Sequence, residues 1–436
     1  MKRIIFCLVT VLCFWLTSCG DVDQLVYYDP GSISEGETDR SGENENIEES
    51  ETSGEKYLPE SVGTEKGLED SQESEDSQES ENIISAEPEV EESEIVAITI
   101  SAVGDVSLGN YLKQGYDYSF DETYEKVQDP AYFFANVRDI FEADDLTIVN
   151  LEGPLTDLEE VRIEKEFEIK GKPEYIKILT EGDVEAATLA NNHILDFTEQ
   201  GREDTVALLK EEGILYAYDR NLAVYEVKGI KIGIVAVSAL AESDYTVNFI
   251  RSEIDELKEQ GMDIIIVCCH WGEEYHYTPN EYQVNLGRAC IDQGADLVLG
   301  CHPHILESIE EYNGKYIAYS MGNFCFGANR NPKDKDSMIF QPTFIFADGV
   351  KQEKTLLKII PCSISSAANR NNYQPTPASG EEAVRIIDKI NEISQDYGVK
   401  FDHDGNLVPD EEENILFLYG KMRKDNLLYK CAPDIA

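Results

Sequence analysis

Histidine is scarce in this chain, with 6 residues in 436. Basic side chains are scarce as well: 36 lysines and arginines stand against 87 acids, giving a formal net charge of −51. That balance argues against nucleic acid as a partner, because neutralising a phosphate backbone needs a basic footprint. It argues equally against electrostatic docking on an anionic membrane. The sequence has no CxxC pair, so a zinc ribbon is not expected. Of its 10 cysteines, Cys268, Cys269, Cys290, Cys301, Cys325, Cys362 and Cys431 fall in the folded part. Their number is odd, they show no disulfide-framework spacing, and several lie in apolar runs, where a buried thiol acts as a small hydrophobe. No apolar run reaches the roughly 20 residues that a membrane-spanning helix needs.

The N-terminus has something shorter. Lys2 and Arg3 precede the apolar stretch 4–16, and Leu16-Thr17-Ser18-Cys19 follows. The pattern predicts a secretory signal over residues 1–18. Its end is similar to a bacterial lipobox, in which Cys19 becomes the lipidated first residue. The alternative is an ordinary signal peptide with a chance cysteine. A diacyl group supplies the two chains that firm anchoring requires, so the expected location is the extracellular face of the cell membrane, held by a lipid anchor. Residues 19–94 then read as the lipidated cysteine and a disordered acidic tether. From residue 21 to 94 there are 26 acids against Arg40, Lys56 and Lys66, with the repeat EDSQESEDSQESE in the middle. Such a segment buries too little apolar surface to offset its ordering entropy, and its charges repel.

Beyond residue 94 the pattern changes to alternating strand-like and helix-like segments. Apolar runs ending in polar residues predict strands at 96–105, 146–153, 185–193, 230–238, 263–272, 295–304 and 315–324. Amphipathic periods predict helices at 130–143, 173–182, 198–213, 247–261 and 281–294. A hairpin turning at Asp348-Gly349 and a further helix within 380–398 follow. The alternation argues an α/β fold with both sheet faces covered. The main domain is placed at 95–345, and 346–436 is read as a hairpin, helix and tail that complete it.

The polar residues fall at the carboxyl ends of the strands, where ligands bind in open α/β sheets. Asp105 ends the first strand. Asn150 and Glu152 end the second. Asn192 and His193 follow the third, His270 ends another, and GCHPHI places His302 and His304 one residue apart. In an extended chain those two imidazoles would share a face. Singly, each residue has a structural reading: a turn aspartate, a capping asparagine, a core histidine. Together, five strand ends supplying nitrogen and oxygen ligands point to one metal site, and imidazole with carboxylate and amide oxygen suits Mn, Fe or Zn rather than Ca. His193 adds an imidazole for proton transfer, and Asp196, three residues on, is placed to hold its ring.

GDVSLGN, NLEGPLT, KGKPEY, LANNHILDFTEQG, HWGEEYHYTPNEYQ, GADLVLGCHPHILE and IAYSMGNFCFG occur in this order from about residue 98 to 330. In combination they resemble the CapA family of poly-γ-glutamate capsule proteins, which is related to calcineurin-like metallophosphoesterases. The resemblance implies a four-layer α/β/β/α sandwich with one or two divalent ions, Mn, Fe or Zn, at the strand ends. It implies that Asp105 and His304 hold one ion and that Asn192, His270 and His302 hold the other. Glu152 falls at the bridging position and His193 at that of the general acid. The phosphoesterase pattern carries Asp-x-His at its first motif and an aspartate at the bridge; this chain has Asp105-Val106-Ser107 and Glu152. Bound ions would activate water and polarise the substrate oxygen.

Asn150, Lys172, Trp271, Glu274, Tyr275 and Asn323 lie in the same motifs and are expected to contact substrate, with Tyr277 and Phe324 as further candidates for the cleft wall. The basic residues within 329–335 and Arg370 offer positive charge to an anionic polymer. The expected function is a surface lipoprotein hydrolase or transferase in capsule or wall polymer metabolism, cleaving a phosphoester or a γ-glutamyl amide. Its partners would be an anionic or peptide-like polymer and a membrane polymer synthase complex. The alternatives are a non-catalytic polymer-binding or assembly subunit, and a general secreted metallophosphoesterase.

Overall fold

The computed structural model describes residues 94–159 and 167–409. The expected signal segment, Cys19, the tether up to residue 93, Cys431 and the tail beyond 409 lie outside the described residues. The chain divides into two units, Met1–Ser85 and Ala86–Ala436, and every described residue belongs to the second.

Two mixed sheets form the centre. In the first, Ile95–Ser107, Leu146–Leu151, Ala186–Thr188 and Leu215–Ala217 run parallel. On its other flank Ile95–Ser107 pairs antiparallel with Asp336–Ala347, which pairs in turn with Leu356–Ser363. In the second sheet Ile230–Ala239, Ile264–Trp271, Leu297–Cys301 and Lys315–Ala318 run parallel. Antiparallel strands Ala223–Val227 and Ile309–Tyr312 close its two edges.

Side-chain alternation along these strands sorts the apolar residues into layers. Ile98, Ile100 and Ala102 meet Ile232, Ile234, Ile264, Ile266, Leu297 and Leu299 between the sheets. The opposite face of the first sheet, including Val149 and Leu151, packs on Ile178, Leu179 and Leu209. These come from the helices Ile176–Glu181 and Thr198–Glu212. The outer face of the second sheet, including Val235, Ile265, Val267 and Val298, packs on Ile250, Ile254, Leu257 and Leu286. Those belong to Asp244–Glu259 and Glu281–Gln293. Three cores separate four layers, so the fold is an α/β/β/α sandwich. Burying each large aliphatic side chain contributes about 1.5–3 kcal/mol, and every layer boundary holds several.

The helices stop and start where their termini are satisfied. Asn280 and Gln283 form a reciprocal capping box ahead of Glu281–Gln293, and Gly294 closes that helix in the left-handed conformation. Asp348 and Gly349 take φ of 53° and 76°, the two positive values that a tight hairpin turn between right-twisted strands requires. Downstream, the helix Glu381–Ile393 delivers Ile386, Ile387 and Ile390 into the core between the sheets.

Several expected elements differ. The run 315–324 is two strands in two sheets: Lys315–Ala318 joins the second, while Asn323–Phe326 pairs parallel with Ile95–Ser107 in the first. The chain crosses between them at Gly322, φ 71°, and periodicity does not register a change of sheet. The run 130–143 is a 3-10 turn, Pro130–Tyr132, and a short helix, Arg138–Phe141; the intervening aromatic, Asn and Val residues are weak helix formers. The third strand is only Ala186–Thr188, so Asn192 and His193 sit on a turn. The edge strand Ala223–Val227 was not anticipated.

Candidate metal centre

The parallel strands of both sheets end at the same rim of the sandwich. In register, Asp105 lies beside Asn150 and Asn323, Asn150 beside Thr188, and Cys301 beside His270. The approach of strands at Asp105 is very close: its N–H donates to the Gly322 carbonyl at 2.9 Å. A Cβ on Gly104 would stand 1.8 Å from that oxygen.

Asp105 is fully buried. One oxygen accepts from the Asn150 amide at 2.8 Å, and the other accepts from the His302 backbone N–H at 3.2 Å. His304 Nδ1 lies 3.1 Å from the same oxygen and 3.0 Å from Asn323 Oδ1. Asn323 also donates to the His304 carbonyl at 3.0 Å. Asn150 and Asn323, expected to contact substrate, are both buried and act as braces for Asp105 and His304.

The two histidines of GCHPHI do not reach the site by strand alternation. The strand ends at Cys301, and His302 and His304 take φ of 101° and 60°. Left-handed backbone at non-glycine residues is strained and collects at functional sites. Here it turns the His304 ring onto Asp105 and the His302 ring onto His270, which an extended chain leaving the sheet would not do.

His270 Nε2 lies 2.7 Å from Asn192 Oδ1 and 3.2 Å from His302 Nδ1. Three potential ligand atoms converge at the roughly 3 Å separation expected of atoms that share one ion at about 2.0–2.2 Å. Asn191 is occupied differently: its oxygen accepts from the backbone N–H of His193 and Ile194, shaping the turn. His193 Nδ1 sits 2.7 Å from Asp196 Oδ2, which also accepts from the Ile169 N–H. That fixes the ring and leaves Nε2 facing inward, 3.9 Å from Glu152 Oε1.

Glu152 is the telling residue. It is 1% exposed, and neither of its carboxylate oxygens has a hydrogen-bond partner. Oε1 faces His193 Nε2 and, at 3.8 Å, His270 Nε2. A buried carboxylate in this state costs several kcal/mol unless a cation joins it. Asp105, Glu152 and His304 place ligand atoms within 4.8 Å of one another, as do Glu274, His302 and His304. The donor set and the orphaned oxygens fit divalent ions.

The electrostatics agree. Burial and the Asp105 charge push the Glu152 carboxyl well above the usual range. Burial would likewise raise Asp105, but the His304 hydrogen bond and the His304 and His270 charges hold it at about 2. Burial drives His270 well down and His302 to about 4. Burial would lower His304 too, yet Glu152 and Asp105 raise it to about 10. A proton on His304 would balance the Asp105 charge beside it.

Glu274 and Tyr275, expected to contact substrate, lie on an exposed turn beside the buried cluster. Both line a cleft of about 240 Å³ with Asn192, His193 and His304. Its apolar wall is Tyr111, Phe167 and Phe326, residues that the sequence reading passed over. Phe326 sits in IAYSMGNFCFG, but a register irregularity between Asp105 and Ser107 offsets the alternation there. Phe324, expected at the cleft, instead packs on Phe134 and Phe141 in the outer core. Trp271 is corrected in the same way. It follows His270 and therefore faces the opposite side of its strand, fully buried, with Nε1 donating to the Tyr319 carbonyl. Lys172 is turned to Glu125 at 3.1 Å and does not line the cleft.

The basic loop borders a groove of about 1210 Å³ that shares Tyr275 and Asn329 with the cleft. Tyr277 lines the groove rather than the cleft. Two of the groove's cations are engaged by acids: Lys389 binds Asp334 and Asp336, and Arg385 binds Asp336 and Glu382, while Lys335 donates to the Ala368 carbonyl. Arg370 lies over the Tyr118 ring.

Carboxylates and imidazoles thus gather at one rim of a four-layer α/β/β/α sandwich, the fold type of calcineurin-like metallophosphoesterases. The chain belongs to the bacterial capsule synthesis protein family PGA_cap, whose model matches residues 99–328. It is 31% identical to the PGA biosynthesis protein CapA of Bacillus subtilis over 58% of this chain and 70% of that protein. It is 29% identical to the capsule biosynthesis protein CapA of Bacillus anthracis over 58% of this chain and 65% of that one. A probable polyglutamine synthesis accessory protein of Mycobacterium tuberculosis matches at 30% over 42% of this chain and 55% of its own length. Among solved structures, a novel phosphatase from Mycoplasma pneumoniae aligns with a TM-score of 0.40 and 15% identity, covering 62% of this chain and 94% of that one. Neither that likeness nor its identity level bears on activity.

Proposed function

We propose that the chain is a lipid-anchored surface protein that hydrolyses or transfers a bond in capsule or wall polymer, using one or two divalent ions held at the strand ends. The observation that carries this reading is Glu152, a buried carboxylate with two unpartnered oxygens facing three imidazoles and Asp105. Asn192, His270 and His302 would hold one ion, and Asp105, Glu152 and His304 the other. Bound there, Mn, Fe or Zn would activate water and polarise the substrate.

The protein's own groups do the rest. His193, with Nδ1 tied to Asp196, presents its other nitrogen to the cleft and would give a proton from it to the leaving group. Tyr111, Phe167, Tyr275 and Phe326 narrow the cleft and limit water. The relatives' names support a polymer substrate: capsule and PGA biosynthesis make poly-γ-glutamate the first one to try. Cys19 would carry the anchor and put the site outside the cell, within reach of a membrane polymer synthase.

The test is hydrolysis by the Mn-loaded chain of an aryl phosphoester and of a γ-glutamyl oligomer, beside His193→Ala. Turnover of either, falling about 10²–10⁴-fold in the variant, supports the reading. A second reading, a non-catalytic assembly subunit, has one observation in its favour: Ser107 stands where the phosphoesterase pattern has an imidazole, and its buried hydroxyl has no partner. Oligomer binding without turnover of either substrate would establish that reading instead.

A further inference from the structure

Ser107 stands where the phosphoesterase pattern has an imidazole, and a carboxylate from another turn, Glu274, lies close to His304. Glu274 follows Gly272, which has φ 84°, in the turn after Trp271. That turn is pinned to the histidine loop by the Tyr275 N–H, which donates to the Pro303 carbonyl at 2.9 Å. The pinning holds a Glu274 oxygen within 4.8 Å of ring nitrogens on both His302 and His304. His304 also belongs to the group with Asp105 and Glu152, so one imidazole is common to both sets. The unpartnered oxygens of buried Glu152 lie in the same group.

We infer that Glu274 is a metal ligand that completes the ion position around His304, in a site that has a serine, Ser107, where the pattern has an imidazole. This rests on the proposed metal-dependent reading and adds a residue to it. The added ligand has a chemical consequence. It is a carboxylate oxygen, so the set around His304 becomes harder and more anionic. Such a set favours Mn over Zn at this position. It also puts a ligand on an exposed turn rather than a strand end, so the position is open to substrate from the cleft side.

The experiment titrates the metal-free full chain with Mn²⁺ alone, by calorimetry and by paramagnetic resonance of the free and bound ion. Wild type is compared with Glu274→Gln, Glu274→Asp and Glu273→Gln. Glu273 is an exposed neighbour that pairs with His276 at 2.8 Å and serves as the control. Loss of one Mn equivalent in Glu274→Gln, or binding weaker by about tenfold or more, is expected, since even indirect partners of a metal cost about 10–100-fold. Glu274→Asp should fall between, and Glu273→Gln should match wild type. Glu274 is exposed, so the metal-free variants should melt as wild type does, which reads folding separately. Wild-type stoichiometry and affinity in Glu274→Gln overturn the inference and leave the proposed function standing. Failure of the wild type to bind Mn²⁺ overturns both.

Discussion

Glu152 and His304 set the chemistry of the site at the scale of single residues. With no metal, the Glu152 carboxyl is raised well above its ordinary value by burial and by Asp105. A raised carboxyl contributes stability that is fully present below its unfolded pKa, about 4.3, and lost as pH rises toward the folded value. Glu152→Gln should therefore stabilise the metal-free protein, by about 1–3 kcal/mol at neutral pH and by little near pH 4. The same change should weaken metal binding. Thermal melts in chelator and in Mn²⁺ would show both effects, and a variant less stable in chelator at pH 7 would contradict the account. His304, held at about 10, is protonated at neutral pH and must lose that proton to bind a metal. Metal binding should then release protons and tighten as pH rises from 6 to 9. Calorimetry in buffers of different ionisation enthalpy counts them; zero protons at pH 7 would be inconsistent with this electrostatic balance.

At the scale of elements, the site depends on where strands end and where they change sheet. Gly104 and Gly322 let Ile95–Ser107 approach Asn323–Phe326 closely enough to hold Asp105 in place. Gly104→Ala should abolish metal binding, because its Cβ would overlap the Gly322 carbonyl and the backbone must shift; metal content of the soluble variant is the check. The helix Glu381–Ile393 is a second such case. Ile390 is fully buried between the sheets, and Ile390→Ala should cost about 2–5 kcal/mol within a single unfolding transition. A separate low-temperature transition for this helix would show that it does not share the main core. The candidate ligands stand out in the sequence because each lies at or just after the end of an apolar run, where such residue types have few other uses. Trp271 and Phe324 were misplaced because apolar periodicity does not say which core a face belongs to. The 315–324 run was misjudged because a two-sheet crossover needs only one permissive residue, Gly322, and leaves the hydrophobic pattern unbroken. Tyr111 and Phe167 carry no motif; they reach the cleft through the short pairing of Asn110–Tyr111 with Ile169–Lys170, which nothing in composition announces.

For the whole molecule, two sheets with their strand ends at one rim gather four of the six histidines into a single buried cluster. That concentration answers why a histidine-poor, strongly acidic chain places two of them side by side at Cys301. Metal bound to the folded state alone stabilises it, by about 2.7 kcal/mol at a free concentration one hundred times Kd. The most direct measurement is the metal content of the purified chain by elemental analysis after reconstitution with Mn, Fe or Zn, alongside the His302→Ala/His304→Ala double variant. The account predicts one or two equivalents in the wild type and loss of binding in the variant. A folded wild type that holds no ion under any of these conditions, or a double variant that keeps its full complement, would contradict it.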